Sequence, residues 1–412
     1  MTAYLPIARL FRSRAPGADR VAFIELFFDL VFVFAVTQLS HHVIEHLTPR
    51  GVIEGVLMLV AVWWVWIYTT WVTNWMNPEK TPVRWMLIAM MLAGLVLSTA
   101  IPYAFADRAW PFAIAYIVMQ LGRTIFVVVS YRRVGQLGNA VNLTRIGIWF
   151  VFAAPFWIAG AAVGGDLQFV LWALALGIEL FAPTVRYWVP GLGNANIDSW
   201  AVAGGHMAER AGLFMIVALG ESIIVTGTVF SRSDFTPSTI VAFLAAFVGT
   251  ILFWLLYFSH GAEHGHRFIS ASEQSGAIAR LTYTYLHMIL VGGVVLVAVG
   301  DELVLAHPDD PLDAATLAVV VAAPALYLLG NLLFKRSIGR PWLRSHLLGM
   351  AALTGLWLAA PLIPGITPLA LTWMVNGIVA LVVIIDEYVW PSDDDAESEA
   401  ESENKAHDRH EG

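Results

Sequence analysis

Cysteine is absent from the 412 residues, which excludes disulfides, thiolate metal sites and cysteine nucleophiles. Charge is scarce as well. Asp, Glu, Lys and Arg make up 13% of the chain, against roughly 25% in soluble domains. No basic patch is available to grip a phosphate backbone, so nucleic acid is excluded as a partner. Enzyme signatures are equally thin. His-Glu-x-x-His does not occur, Gly220-Glu221-Ser222 lacks the glycine pattern of a hydrolase elbow, and the glycines of Gly191-Leu192-Gly193 follow no strand. The chain is therefore expected to be neither an enzyme nor a cofactor binder. A cleavable leader is not expected either, since the opening LPIARLF is too short and interrupted for one.

Apolar residues take the place of the missing charge. They make up 58% of the chain, tryptophan alone numbers 17, and the mean hydropathy is +0.70. Such a composition fits an all-α, polytopic membrane protein whose first partner is the lipid bilayer. The formal charge of −8 misleads, because residues 391–412 hold nine acids and two bases. That Pro-led, low-complexity tail is expected to be disordered.

Twelve apolar segments follow one another, over 22–43, 51–75, 84–105, 110–131, 145–165, 167–189, 207–230, 238–259, 279–299, 314–334, 343–362 and 367–390. Pro and Gly mark several edges, as at Pro49-Arg50-Gly51, Asn77-Pro78 and Pro190-Gly191. With the N-terminus inside, nineteen of the 23 Lys and Arg residues fall on the inner side. Only Arg50, Arg108 and Arg232 fall outside, and Arg123 lies within the fourth segment. That bias predicts a multi-pass protein of the plasma membrane with both termini cytoplasmic.

The first segment, RVAFIELFFDLVFVFAVTQLS over 20–40, carries Glu25 and Asp29 inside an apolar run. A charge at the bilayer centre costs at least about 2.5 kcal/mol, so both carboxylates are expected to face protein or water. At 100° per residue, Glu25, Asp29, Val36 and Ser40 share one stripe. The seventh segment has Arg210 and Glu221 on a common stripe too. The third segment of each half opens with arginine, Arg84 and Arg280, and Tyr116 to Arg123 echoes Tyr327 to Asn331. These echoes suggest two parallel six-helix repeats, 21–190 and 207–390. A cytoplasmic segment, 1–20, precedes them and a linker, 191–206, joins them.

RVAFIELFFDLVFVFAVTQLSHH in the first segment and ERAGLFMIVALGESIIVTG in the seventh resemble the signatures of the low temperature requirement A proteins, over Arg20 to Trp390. More distantly, Glu25 to Thr37 is similar to the Phe-Ser-Asp first-helix motif of the endolysosomal potassium channels and their bacterial relatives. Here Phe28 replaces the serine, and the second half has Gly220-Glu221-Ser222 in that place. The channel resemblance implies that the first helix of each repeat lines a pore.

The expected charged core comprises Arg20, Glu25, Asp29, Arg123, Glu179, Arg210, Glu221 and His287, with Arg123 or Glu179 neutralising the carboxylates of the first segment. The expected pore lining is Val33, Val36, Ser40, Val225 and Thr228. The leading functional expectation is passage of a small cation or proton. The alternative is a non-conducting scaffold or sensor whose buried charges only fix packing. A homo-oligomer is compatible with either. No metal site is expected, because His260, Glu263, His264 and His266 stand among glycines and read as solvated interfacial residues.

Overall fold

The computed structural model describes residues 10–12, 20–195, 202–259 and 278–389. Among them the chain forms twelve α-helices and no strand, apart from isolated bridges between Phe11 and Met76 and between Val189 and Gly193. The first half holds α1 (Phe23–Glu45), α2 (Pro49–Trp75), α3 (Thr81–Ala100), α4 (Ala109–Arg133), α5 (Leu137–Val163) and α6 (Gly165–Phe181). The second holds α7 (Gly204–Arg232), α8 (Pro237–Phe258), α9 (His287–Ala306), α10 (Ala314–Ser337), α11 (Arg344–Ala359) and α12 (Pro368–Val389). Eleven of these, with their flanking turns, are long and apolar enough to cross a membrane. The acidic tail and the His260–His266 stretch lie outside the described residues.

Local chemistry sets many of the boundaries. Thr48 and Thr236 cap α2 and α8 through their side chains, Asp313 caps α10, and prolines stand in the first turns of α2, α3 and α8. The sixth segment, expected to run to 189, stops at Phe181. Pro183 cannot donate to the helix ladder, and the chain turns through Arg186 and Tyr187, both at φ 50°. α6 therefore has 17 residues, about 25 Å of helix, and falls short of a full span. The ninth segment starts with a π-helical turn, Arg280–Leu286, and continues to Ala306, so Asp301 lies in the helix and not in a loop.

α1 packs against α2, α3, α7 and α9, while α7 packs against α8 and α9 as well as α1. Trp63, Trp64 and Trp66 of α2 are fully buried, and Trp63 donates its indole N–H to the carbonyl of Thr284 in the π turn (2.7 Å). α9 and α10 approach closely because a Cβ at Gly293 would stand 2.9 Å from the backbone of Tyr327, and one at Gly330 3.0 Å from that of Leu290. The outer faces are apolar: Leu92, Ile125, Phe152, Phe181, Ile223, Leu348 and Leu381 are all exposed. That is a surface for hydrocarbon, not water.

Candidate functional site

Glu25 and Asp29 stand one helical turn apart on α1, as His206 and Arg210 do on α7, so each pair projects from one face of its helix. The two faces meet. His206 Nε2 lies 2.8 Å from Glu25 Oε1, Arg210 Nη2 donates to Asp29 Oδ1 at 2.7 Å, and the Thr37 hydroxyl donates to Glu221 at 2.5 Å. Their sequence separations are 181, 181 and 184 residues, so α1 and α7 run side by side in the same direction. Arg210 also approaches Glu25 at 3.5 Å, and Trp66 Nε1–H donates to Asp29 Oδ1 at 2.8 Å.

Arg12 completes the cluster from outside the helices. Its Nη2 donates to Glu25 Oε2 (2.6 Å), its Nε to the carbonyl of Thr73 (2.6 Å) and its Nη1 to the carbonyl of Arg20 (3.0 Å). It is held there by backbone bonds from Arg12 N to Trp75 O and from Asn77 N to Leu10 O. Asn74 Nδ2 donates to Nδ1 of His206, whose Nε2 lies between Glu25 Oε1 and Arg12 Nη2 (3.0 Å). Two carboxylates thus meet two guanidiniums and an imidazole in one buried knot, consistent with the rule that membrane charges are paired.

This arrangement corrects the expected pairing. Arg123 and Glu179 do not reach α1. Glu179 of α6 accepts from the Tyr116 hydroxyl (2.6 Å), Trp157 Nε1 (3.1 Å) and Gln120 Nε2 (3.2 Å), and Gln120 in turn accepts from Arg123. Arg123 Nη1 donates to the Val65 carbonyl (3.1 Å) and the Thr69 hydroxyl (3.0 Å), tying α4 to α2. In the second half Asn331 donates to the Leu256 carbonyl (3.1 Å) and Tyr327 to the Phe253 carbonyl (2.7 Å), tying α10 to α8. Lys335 of α10 pairs with Asp386 of α12 at 2.5 Å.

The remaining expected residues scatter. Arg20 is exposed and gives the cluster only its carbonyl. His287 is buried in a packing role, with Nε2 2.8 Å from the Tyr257 hydroxyl and Nδ1 2.8 Å from the Thr282 carbonyl. Glu221 is not level with Asp29. It faces Thr37, two turns further along α1. Val36, Ser40 and Val225 are buried, Val33 is half-buried, and Thr228 is exposed, its inward place taken by Thr226. Beside Glu221, Ser222 donates to Asp301 Oδ2 (2.5 Å) and lies 3.0 Å from the Thr250 hydroxyl.

Twelve packed helices with apolar outer faces and internally paired charges define a polytopic helical membrane protein. The chain belongs to the family described as bacterial low temperature requirement A protein (LtrA), whose model matches residues 20–384. It is 37% identical over 380 residues to "Uncharacterized protein RA0937" of Rhizobium meliloti (strain 1021), covering 92% of this chain and 91% of that one. No solved structure matches it.

Proposed function

We propose that this protein passes a small cation or proton along the seam between α1 and α7, in the plasma membrane, with both termini cytoplasmic. One observation carries the reading. Glu221 is fully buried on that seam. Thr37 occupies one of its carboxylate oxygens, and the other has no hydrogen-bond partner among the described residues. No cation pairs with it there, so an incoming proton or cation supplies what the site lacks. Asp301 of α9, held by Ser222 one residue further along α7, offers a second carboxylate without a cationic partner among the described residues. The Arg12–Glu25–His206–Arg210–Asp29 knot closes the seam at the end where both helices start.

The pore-lining implication of the channel resemblance agrees with two parallel repeats, 21–190 and 207–390. The recurring contacts support that arrangement: α1 on α2 and α3 as α7 on α8 and α9, and α4 to α2 carbonyls as α10 to α8 carbonyls.

A non-conducting scaffold is the second reading. The rings packed along the seam favour it: Trp63 and Trp66 lie against Phe214 with centroids 5.4 and 4.3 Å apart. Flux into proteoliposomes under separate potassium, sodium and proton gradients distinguishes the two. One of the three is expected to move faster than in empty vesicles, and Glu221→Gln to change its rate without loss of folded protein. If all three match the empty-vesicle rate, the scaffold reading stands.

A further inference from the structure

A second polar site lies away from the α1–α7 seam. At the end of the bundle where α9 begins, a cavity of ≈ 40 Å³ is enclosed by α2, α4, α5, the turn after α6 and the π turn. Arg123 and Arg280 both line it, and among the described residues no carboxylate does. Neither arginine forms an ion pair with any described residue. Arg123 Nε and Arg280 Nη1 are buried donors without a hydrogen-bond partner among the described residues. Arg123 is itself fully buried, held by its other nitrogens to Val65, Thr69 and Gln120. Two guanidiniums on different helices thus border one small space, each with an N–H group left unused.

A buried donor left unmade costs more than the bond gains, and more still when the group is charged. The chemistry that answers two guanidinium forks is a planar anion with two or more oxygens. The size agrees. A single water needs about 10–15 Å³ of such space, so the cavity holds roughly three waters, or one three-atom carboxylate group. The rest of the wall is mainly apolar, with the rings of Trp64, Trp71 and Tyr187 lining it beside Thr124 and Thr284. Trp71 turns its own N–H to the Thr284 hydroxyl (3.0 Å) and Tyr187 its hydroxyl to Tyr68 (2.6 Å), so both rings offer their apolar bodies. We propose that this cavity binds a small monocarboxylate, its carboxylate between Arg123 and Arg280 and its apolar part against the rings. The proposal does not depend on ion passage.

The test is calorimetric titration of the purified full chain in detergent with sodium acetate, sodium benzoate and sodium chloride. Benzoate, whose ring exceeds the space, is not expected to bind, whereas acetate is expected to bind saturably, about one per chain, and more tightly than chloride. Arg280→Gln is expected to weaken acetate binding about tenfold or more while leaving thermal unfolding of the unliganded protein unchanged. Should Arg280→Gln fail to fold, Leu143→Phe, which fills the cavity and keeps both arginines, is expected to abolish the heat. An absence of saturable heat with acetate would mean that the cavity holds water only. Acetate binding unaltered in the variants, or benzoate or chloride bound as tightly, would equally overturn the assignment.

Discussion

Removing Arg210 tests the buried knot most directly. Arg210→Met keeps an unbranched apolar stem and deletes the only cation among the described residues that reaches Asp29, at 2.7 Å. Among the described residues, Asp29 then keeps only the Trp66 N–H. Glu25 fares better, because Arg12 at 2.6 Å and His206 at 2.8 Å remain. The loss is therefore that of one stranded buried charge, about 3–5 kcal/mol. Glu25→Gln leaves Arg210 with Asp29 and Arg12 with two backbone carbonyls, so its cost is nearer the contribution of a hydrogen bond to a charged group, about 1.5–3 kcal/mol. The double variant Arg210→Met with Asp29→Leu removes both charges and fills their volume. Replacing buried pairs in this way is often neutral or stabilising, so the double variant should lie closer to wild type than Arg210→Met does. Unfolding free energies from denaturing-detergent titration in mixed micelles measure all four proteins. Additive losses in the double variant, or an Arg210→Met protein as stable as wild type, would refute the reasoning.

Gly293→Leu is expected to drive α9 and α10 apart and cost at least about 1–3 kcal/mol, because the new side chain meets the main chain of Tyr327; the same titration reads it, with the open position Gly355→Leu as control. Asp313→Ala removes the cap of α10 and should cost about 0.5–2 kcal/mol near neutral pH. Partial burial pushes the Asp313 carboxyl up, but bonds from the Thr316 hydroxyl and the N–H groups of Thr316 and Ala315 outweigh it and hold it below the usual carboxylate range. Its contribution is thus complete above about pH 3.9 and fades as pH falls through the lower folded value, so the gap between wild type and variant should close only in acid. Cysteines placed at Arg108, Arg232 and Asp309 should label from outside and those at Arg133 and Arg340 only from the cytoplasm; reversal at two of these loops overturns the orientation.

The helices were readable because an apolar run of about 20 residues between turn signals has few alternatives in a membrane chain. Of the knot, Glu25, Asp29 and Arg210 were legible as charges on inward stripes. Their pairing was not, since a helical wheel gives a direction without naming the neighbour, and the true partners stand 181 residues apart. Arg12 looked like one more topogenic cation, for residues 10–12 have no periodicity to mark them. His206 sat at the end of an apparent linker because Gly204-Gly205 reads as a breaker, yet both residues open α7. Asp301 was hidden by its own charge, which ended the apolar run early. The fused Arg123–Glu179 and Asp29 networks failed as one cluster because Gln120 and Tyr116, polar but uncharged, had already satisfied Glu179.

The 181-residue gap between Asp29 and Arg210 also sets a timetable for biosynthesis. A ribosome adding about 5–20 residues per second delivers the arginine roughly 10–35 s after the aspartate. During that interval α1 has left the ribosome with its carboxylate unanswered, and Trp63 and Trp71 likewise await Thr284. The nascent first half must therefore be sheltered at the insertion site, or rest at the membrane surface, until the second half arrives. A ribosome stalled before α7 should yield a protease-sensitive chain, and one stalled past the π turn a resistant one.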